Sequence, residues 1–301
     1  MRAIAAAAVA LIGAARAEAQ NRGVYPLGMS AINSGVTPAA GFTYANQLLF
    51  YARTEAKDDD GETLPVGGLN TVVMDMNSFI WVSERRILGA RYSATATIPF
   101  AKNSLTSDIH GKVSGGGGLA DSYYLPLILG WSGEATSVRA MYGFLAPTGR
   151  FEAGADDNVG SGYWTHTLSS GQTFRLTGSG SVVLSTFEMY ERHTTQSGTD
   201  VRPGDTFDLD YSLMGALPPG EDLRLQVGLV GYLQRQTTAK TGPDVAPATS
   251  AERYAVNGLG LAVNGAFPKR RASLALKYFK EFASRATYQG YSVQLAGAIT
   301  L

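Results

Sequence analysis

Apolar and polar positions alternate with a period of two along nearly the whole chain, and no long stretch keeps a helical stripe. Between Leu88 and Phe100, one face carries Leu88, Ala90, Tyr92, Ala94, Ala96, Ile98 and Phe100. The other carries Gly89, Arg91, Ser93, Thr95, Thr97 and Pro99. Further on, Leu223, Leu225, Val227, Leu229 and Leu233 oppose Arg224, Gln226, Val230, Tyr232 and Gln234. The last segment sets Tyr291, Val293, Leu295, Ile299 and Leu301 against Ser292, Gln294 and Thr300. A soluble sandwich alternates too, but its strands average ~5–6 residues. These runs reach about ten, the length a tilted strand needs to cross a bilayer. Hydrocarbon offers no partner for backbone N–H and C=O groups, so such strands must close into a barrel.

The expected fold is all-β: a transmembrane, antiparallel, up-and-down β-barrel of about 12 strands. They are expected at 42–53, 69–82, 88–100, 121–132, 136–147, 160–176, 181–193, 206–215, 223–237, 253–265, 272–284 and 289–301. Connections after strands 1, 3, 5, 7 and 9 are long and those after even strands short, the arrangement of outer-membrane barrels, while the connection after strand 11, near Ser284–Tyr288, breaks the pattern by being short. The strands at 160–176, 181–193 and 253–265 alternate poorly, so their registers stay open. Tyr92, Phe100, Tyr123, Trp131, Tyr142, Phe144, Phe207, Tyr211, Tyr278, Phe282 and Tyr291 are assigned to the apolar face, several near strand ends where interfacial girdles belong.

At the start, Arg2 precedes an apolar run, Ala3–Ala15, too short to span a bilayer, and then Ala17-Glu18-Ala19. This order is that of a secretory signal peptide, expected at residues 1–19. Residues 20–41 are too interrupted by Gly and Pro for a membrane strand and read as a periplasmic lead or a luminal plug. The barrel is expected over 42–301, in the bacterial outer membrane. Its partners there are lipids, lipopolysaccharide and the barrel-assembly machinery.

Composition narrows the chemistry. The absence of cysteine excludes disulfides, Cys-ligated metals and a lipid-anchored N-terminus. Lys+Arg and Asp+Glu are each 25, so no basic excess points to nucleic acid. The three histidines show no metal-ligand spacing, and no cofactor is expected. His166 and His193 have no nucleophile context of a hydrolase around them and read as exposed rim residues. An outer-membrane lipid hydrolase therefore ranks last, and the protein is not expected to be an enzyme.

The inward polar positions are expected to be Asp75, Asn77, Arg91, Arg139, Asp208, Asp210, Arg224, Gln226, Gln234, Lys277 and Glu281. Phe79, Tyr232 and Phe279 are placed between them. Both signs of charge occur, whereas an ion-selective wall would carry one. A lumen of mixed polar and aromatic groups suits a small, weakly polar organic solute. The alternative is a non-conducting structural or surface-interaction barrel whose inward charges pair with one another.

Several short motifs, in order, extend this reading. They are Gly35–Phe42, Asp58-Asp59-Asp60-Gly61, Asp121 with Pro126, Pro147–Phe151 and Gly160–Trp164. Next come Tyr190-Glu191, Pro203-Gly204-Asp205, Gly228–Tyr232 with Gln236, Lys277–Phe282 and Gln289-Gly290-Tyr291. Across nearly the whole chain beyond the signal, this series resembles the outer-membrane family named for the MetA-pathway of phenol degradation. The resemblance implies a barrel that passes small hydrophobic or aromatic compounds. One departure is the terminal Leu301, where many barrels end in an aromatic residue read by the assembly machinery.

Overall fold

The computed structural model describes residues 22–65, 68–107, 111–113, 115–155, 158–218, 220–243 and 245–301. The expected signal segment, 1–19, and His110 lie outside these. Three strands open the sheet: β1 (Gly41–Lys57), β2 (Gly68–Ile87) and β3 (Ala90–Ser107). Two three-residue strands, β4 (Gly111–Val113) and β5 (Gly117–Leu119), lie along β3. The wall continues with β6 (Ser122–Ser132), β7 (Thr136–Ala146), β8 (Thr165–Arg175), β9 (Val182–His193) and β10 (Thr206–Ala216). It finishes with β11 (Arg224–Gln236), β12 (Ala255–Phe267), β13 (Ala272–Arg285) and β14 (Thr287–Thr300). Every long strand pairs antiparallel with its neighbours, and β14 returns to β1, so twelve long strands close one barrel without a free edge.

Closure satisfies the backbone within the wall, which lets the outer face be greasy. Leu48, Phe50, Leu213, Leu229, Leu261, Leu276 and Leu295 stand exposed on that face. Aromatic side chains gather toward both ends of this belt. Near the short turns, Trp81 meets Tyr92 edge-on and Trp131 donates Nε1–H to the Leu88 carbonyl at 3.1 Å. Near the long connections, Tyr124, Phe144 and Trp164 form a row, as do Phe50, Tyr291 and Tyr278. The short-turn end is the periplasmic one and the opposite end extracellular. The β2–β3 hairpin is tighter than the expected gap at 83–87, because Leu88 and Gly89 both take positive φ (52° and 76°). That pair makes the two-residue turn whose twist matches the flanking strands.

Two features of the wall depart from simple alternation. Pro126 sits in a bulge of β6, where the register to β7 shifts between Tyr124 and Leu127. The extra residue reverses the facing of the strand, and proline fits because a bulge needs no ladder N–H. Leu127, Leu129 and Trp131 therefore face lipid. Tyr123, expected on the apolar outer face, points inward and shares a 2.8 Å hydrogen bond with Thr167.

The second departure is β2, whose Val72, Met74 and Met76 face inward and line a cavity. Asp75, Asn77 and Phe79 are consequently on the outside, correcting the expectation that they line the lumen. Asp75 accepts from Asn46 Nδ2 at 2.5 Å, Asn77 accepts from Tyr44 at 2.6 Å, and Phe79 is 42% exposed. The expectation failed because it took the parity of β2 that holds Asp75 and Asn77 as the inward one. Here the aliphatic and thioether parity, Val72, Met74 and Met76, lines the interior.

Candidate functional site: the lumen and its N-terminal occupant

Residues 22–40 run through the barrel interior, from Arg22 near the extracellular end to Thr37 near the periplasmic turns, and join β1 at Gly41. The segment makes no strand of its own, so its backbone groups need partners inside the lumen. The inward charges supply them. Glu191 accepts the N–H groups of Val24 and Tyr25 at 2.8 and 2.7 Å. Asp210 accepts the Tyr25 hydroxyl at 2.6 Å, Gly28 N–H at 2.8 Å and Ser30 N–H at 3.0 Å. Lys277 Nζ donates to the carbonyls of Gly28 and Met29 at 2.6 and 2.9 Å. Gln294 and Ser212 donate to the carbonyls of Leu27 and Ala31 at 2.7 and 2.6 Å, and Arg139 Nε donates to that of Ser34 at 2.6 Å.

The top of the segment is held by charge. The Arg22 guanidinium donates to Glu281 Oε1 at 2.8 Å, to Thr287 at 3.0 Å, and to the Tyr51 hydroxyl and the Tyr288 carbonyl. Hydrogen bonds to a charged partner are roughly twice as strong as neutral ones. Glu191, Asp210 and Glu281 thus accept from donors of the segment, and Lys277 and Arg139 donate to its carbonyls.

Shape completes the fit. Tyr25 stacks on Phe187 with ring centroids 5.3 Å apart, in a cluster with Ile128, Met141 and Met189. Ala31, with Leu27 and Ile32, packs against Met214, Val230, Tyr232, Val256, Ala262 and Phe279. Gly28 takes φ +80° directly over the Phe279 ring, where a Cβ would lie 2.5 Å from a ring carbon. A side chain is excluded there both by backbone conformation and by space. On the wall, a Cβ at Gly171 would come within 2.3 Å of the Ser34 carbonyl oxygen, so this glycine makes room for the segment.

Among the predicted lumen residues, Asp208, Asp210, Tyr232, Gln234, Lys277, Phe279 and Glu281 are inward and buried. Gln234 Nε2 donates to Asp208 at 2.6 Å, and the Tyr232 hydroxyl donates to Glu281 at 3.1 Å. Gln226 accepts from Asn33 of the segment at 3.3 Å and from Asn264 at 2.9 Å. Arg91 pairs in register with Gly130, whose missing side chain makes room for Thr37, and so faces inward near the periplasmic mouth. Arg224 begins β11 at that mouth and is exposed.

His166 is exposed on the outer wall and hydrogen-bonds Tyr142 at 3.0 Å. His193 corrects the exposed-rim reading: it is 3% exposed, bonded through Nδ1 to Thr165 at 2.8 Å, with Glu191 3.5 Å from Nε2. Odd-numbered positions of β9 face inward, a register that the weak alternation could not reveal. The same register hides Glu191, which the sequence reading missed as a lumen residue although Tyr190-Glu191 stood out as a motif.

Between the segment and the wall remains a cavity of about 380 Å³ toward the extracellular side. Tyr25, Leu27 and Met29 of the segment face Leu49, Val72, Met74, Met76, Pro99 and Ala101 of β1–β3 across it. Tyr51, Arg53, Asn70 and Asn103 add polar groups. Its upper rim includes Asp121, which accepts Gly149 N–H at 3.0 Å and the Ser161 N–H and hydroxyl at 2.7 and 2.5 Å. Burial pushes this carboxyl above its ordinary value, against those hydrogen bonds, which pull it down. The rim thus joins the β6 entrance to the 147–164 connection through one buried carboxylate.

Solved structures similar to this one include the COG4313 outer membrane channel from Pseudomonas putida F1. It is 13% identical, with a TM-score of 0.68, covering 89% of this chain and 98% of that one. The β domain of the Bordetella autotransporter BrkA, 11% identical, has a TM-score of 0.54 over 87% of this chain and 100% of that one. At these identities the likeness is one of fold, that of outer-membrane barrels. No curated protein matches in sequence. The profile of the family described as Putative MetA-pathway of phenol degradation matches residues 54–296, taking in every strand except most of β1 and the end of β14, and the chain belongs to that family.

Proposed function

We propose that the protein is a gated outer-membrane channel that admits small, weakly polar organic compounds, aromatic ones among them, by passive diffusion. The observation that carries this reading is the cavity between the N-terminal segment and β1–β3. Its 380 Å³ falls in the ~300–1,000 Å³ range of small-molecule sites, and its lining mixes a thioether, aliphatic and aromatic majority with many polar groups, charged ones such as Arg22, Arg53, Asp121 and Glu281 among them. The family's name supports the aromatic class. The inward charges are of both signs, and Glu191, Asp210, Glu281, Lys277 and Arg139 are engaged by the segment, which argues against selection of ions by a field. Displacement of the segment would continue the path downward past Asp210, Lys277, Phe279 and Gln226.

The dense bonding of the segment favours a second reading, a barrel closed under all conditions. Liposome swelling separates the two. Liposomes carrying the full chain should swell faster in small phenolic or other weakly polar solutes than in sugars of larger size. Deletion of residues 22–38 should raise both swelling and single-channel conductance. Swelling by the full chain indistinguishable from protein-free liposomes in every solute, with swelling only after the deletion, would favour the sealed barrel.

A further inference from the structure

Four polar side chains of β8 and β9 face outward together, into the lipid belt. The Ser170 hydroxyl donates to Glu188 Oε2 at 2.9 Å, Gln172 Nε2 donates to Ser170 Oγ at 3.1 Å, and Thr186 Oγ1 donates to Gln172 Oε1 at 2.8 Å. Their outward facing follows from their neighbours in sequence. Gly171 abuts Ser34 of the luminal segment and Phe187 stacks on Tyr25, so the positions between point the other way. The register pairs Ser170 with Glu188 and Gln172 with Thr186. Both pairs lie near the midpoints of strands of 11 and 12 residues, with Leu168 and Tyr190 on the extracellular side and Phe174 and Leu184 on the periplasmic side. An ionisable side chain at that depth on the lipid face is costly. Within the described chain, Glu188 receives its hydrogen bond on one carboxylate oxygen alone.

We propose that this patch is the contact face of a homodimer in the membrane. A two-fold axis along the membrane normal, passing through the β8–β9 seam, lays each β8 against the partner's β9. Ser170 and Gln172 then stand opposite the partner's Glu188, donors against carboxylate, with the two carboxylates on either side of the axis. The contact is self-complementary, as a two-fold interface requires. It also removes the four polar groups of each copy from hydrocarbon.

A second outward polar cluster, Tyr44, Asn46, Asp75 and Asn77 on β1 and β2, lacks this property. Asn46 already donates to Asp75 and Asn77 within the chain, at 2.5 and 3.3 Å. The same operation at the β1–β2 seam would set Asp75 against the partner's Leu48, its own neighbour in register. Charge complementarity therefore selects β8–β9.

Because the chain has no cysteine, single thiols report the contact cleanly. Leu168→Cys, at a position 65% exposed beside the patch, should cross-link to a two-chain species with a short bis-maleimide in intact outer membranes. Phe79→Cys, on β2, should not. Adding Glu188→Leu and Gln172→Leu to Leu168→Cys should lower the cross-linked fraction at least tenfold. Heat-modifiable mobility on gels should persist, since these changes make the lipid face more apolar. Native mass spectrometry in mild detergent should show two chains for the unsubstituted protein and one for Glu188→Leu/Gln172→Leu. The proposal is overturned if Leu168→Cys gives no two-chain product, if Phe79→Cys cross-links equally, if the double leucine variant dimerises unchanged, or if the cross-linked mass is that of a different protein.

Discussion

Asp210 shows how a single buried carboxylate holds the luminal segment. It takes the Tyr25 hydroxyl and two N–H groups, so Asp210→Ala would leave the Tyr25 hydroxyl and Gly28 N–H without their acceptor inside the lumen, and Ser30 N–H with the Tyr25 oxygen alone. Hydrogen bonds to charged groups contribute about 1.5–3 kcal/mol each and are not additive, so docking should weaken by about 2–4 kcal/mol. A shift of about 2 kcal/mol already changes the displaced population roughly 30-fold. Single-channel recording should show that as a rise in open probability, with Asp210→Asn falling between. Residue facing is testable in the same way. Met76→Trp fills the cavity and should reduce solute flux several-fold, whereas Asp75→Leu, one position away on the outer wall, should leave flux unchanged. Equal effects of the two would contradict the β2 facing described here.

At the scale of elements, the segment 22–40 and the wall are cut to fit one another. A Cβ at Gly171 would lie 2.3 Å from the Ser34 carbonyl oxygen, a backbone clash that the seated segment cannot absorb. Gly171→Ala should therefore loosen the segment and raise single-channel conductance, without changing the barrel's gel mobility. Conductance equal to that of the unsubstituted protein would contradict this close fit. The β6 bulge acts at the same scale. One additional residue at Pro126 turns Tyr123 and Leu125 toward the occupant while keeping Leu127, Leu129 and Trp131 in lipid.

For the molecule as a whole, two solvents meet across one sheet: hydrocarbon outside and an organised polar and apolar filling inside. The strand ladder closes independently of the occupant, since all twelve long strands find their partners in the wall. On the proposed function, the occupant is a gate on a finished barrel. Polar groups cluster on the outer wall at the β1–β2 and β8–β9 seams, and of these two only the second carries a pattern that a two-fold copy would satisfy.

Strand number and the alternation of long and short connections were legible in the sequence, because each follows from local chemistry, alternation at period two and turn residues, whereas β1, β2 and β3 run past the expected ends at 53, 82 and 100 to Lys57, Ile87 and Ser107. The inward facing of β10, β11 and β13 was legible for the same reason, as Asp208, Asp210, Gln234, Lys277 and Glu281 stand opposite plainly apolar rows. The facing of β2, β6, β8 and β9 was not. Their alternation was cancelled by polar groups on the lipid side, by apolar groups that meet the occupant, or by a bulge. Parity along a strand says that two faces differ, whereas the partner each face meets decides which is inside. For Met76 that partner is a cavity beside Leu27 and Met29, for Glu191 a backbone turn at Val24 and Tyr25. Neither is visible until residues far apart in the chain are folded against one another.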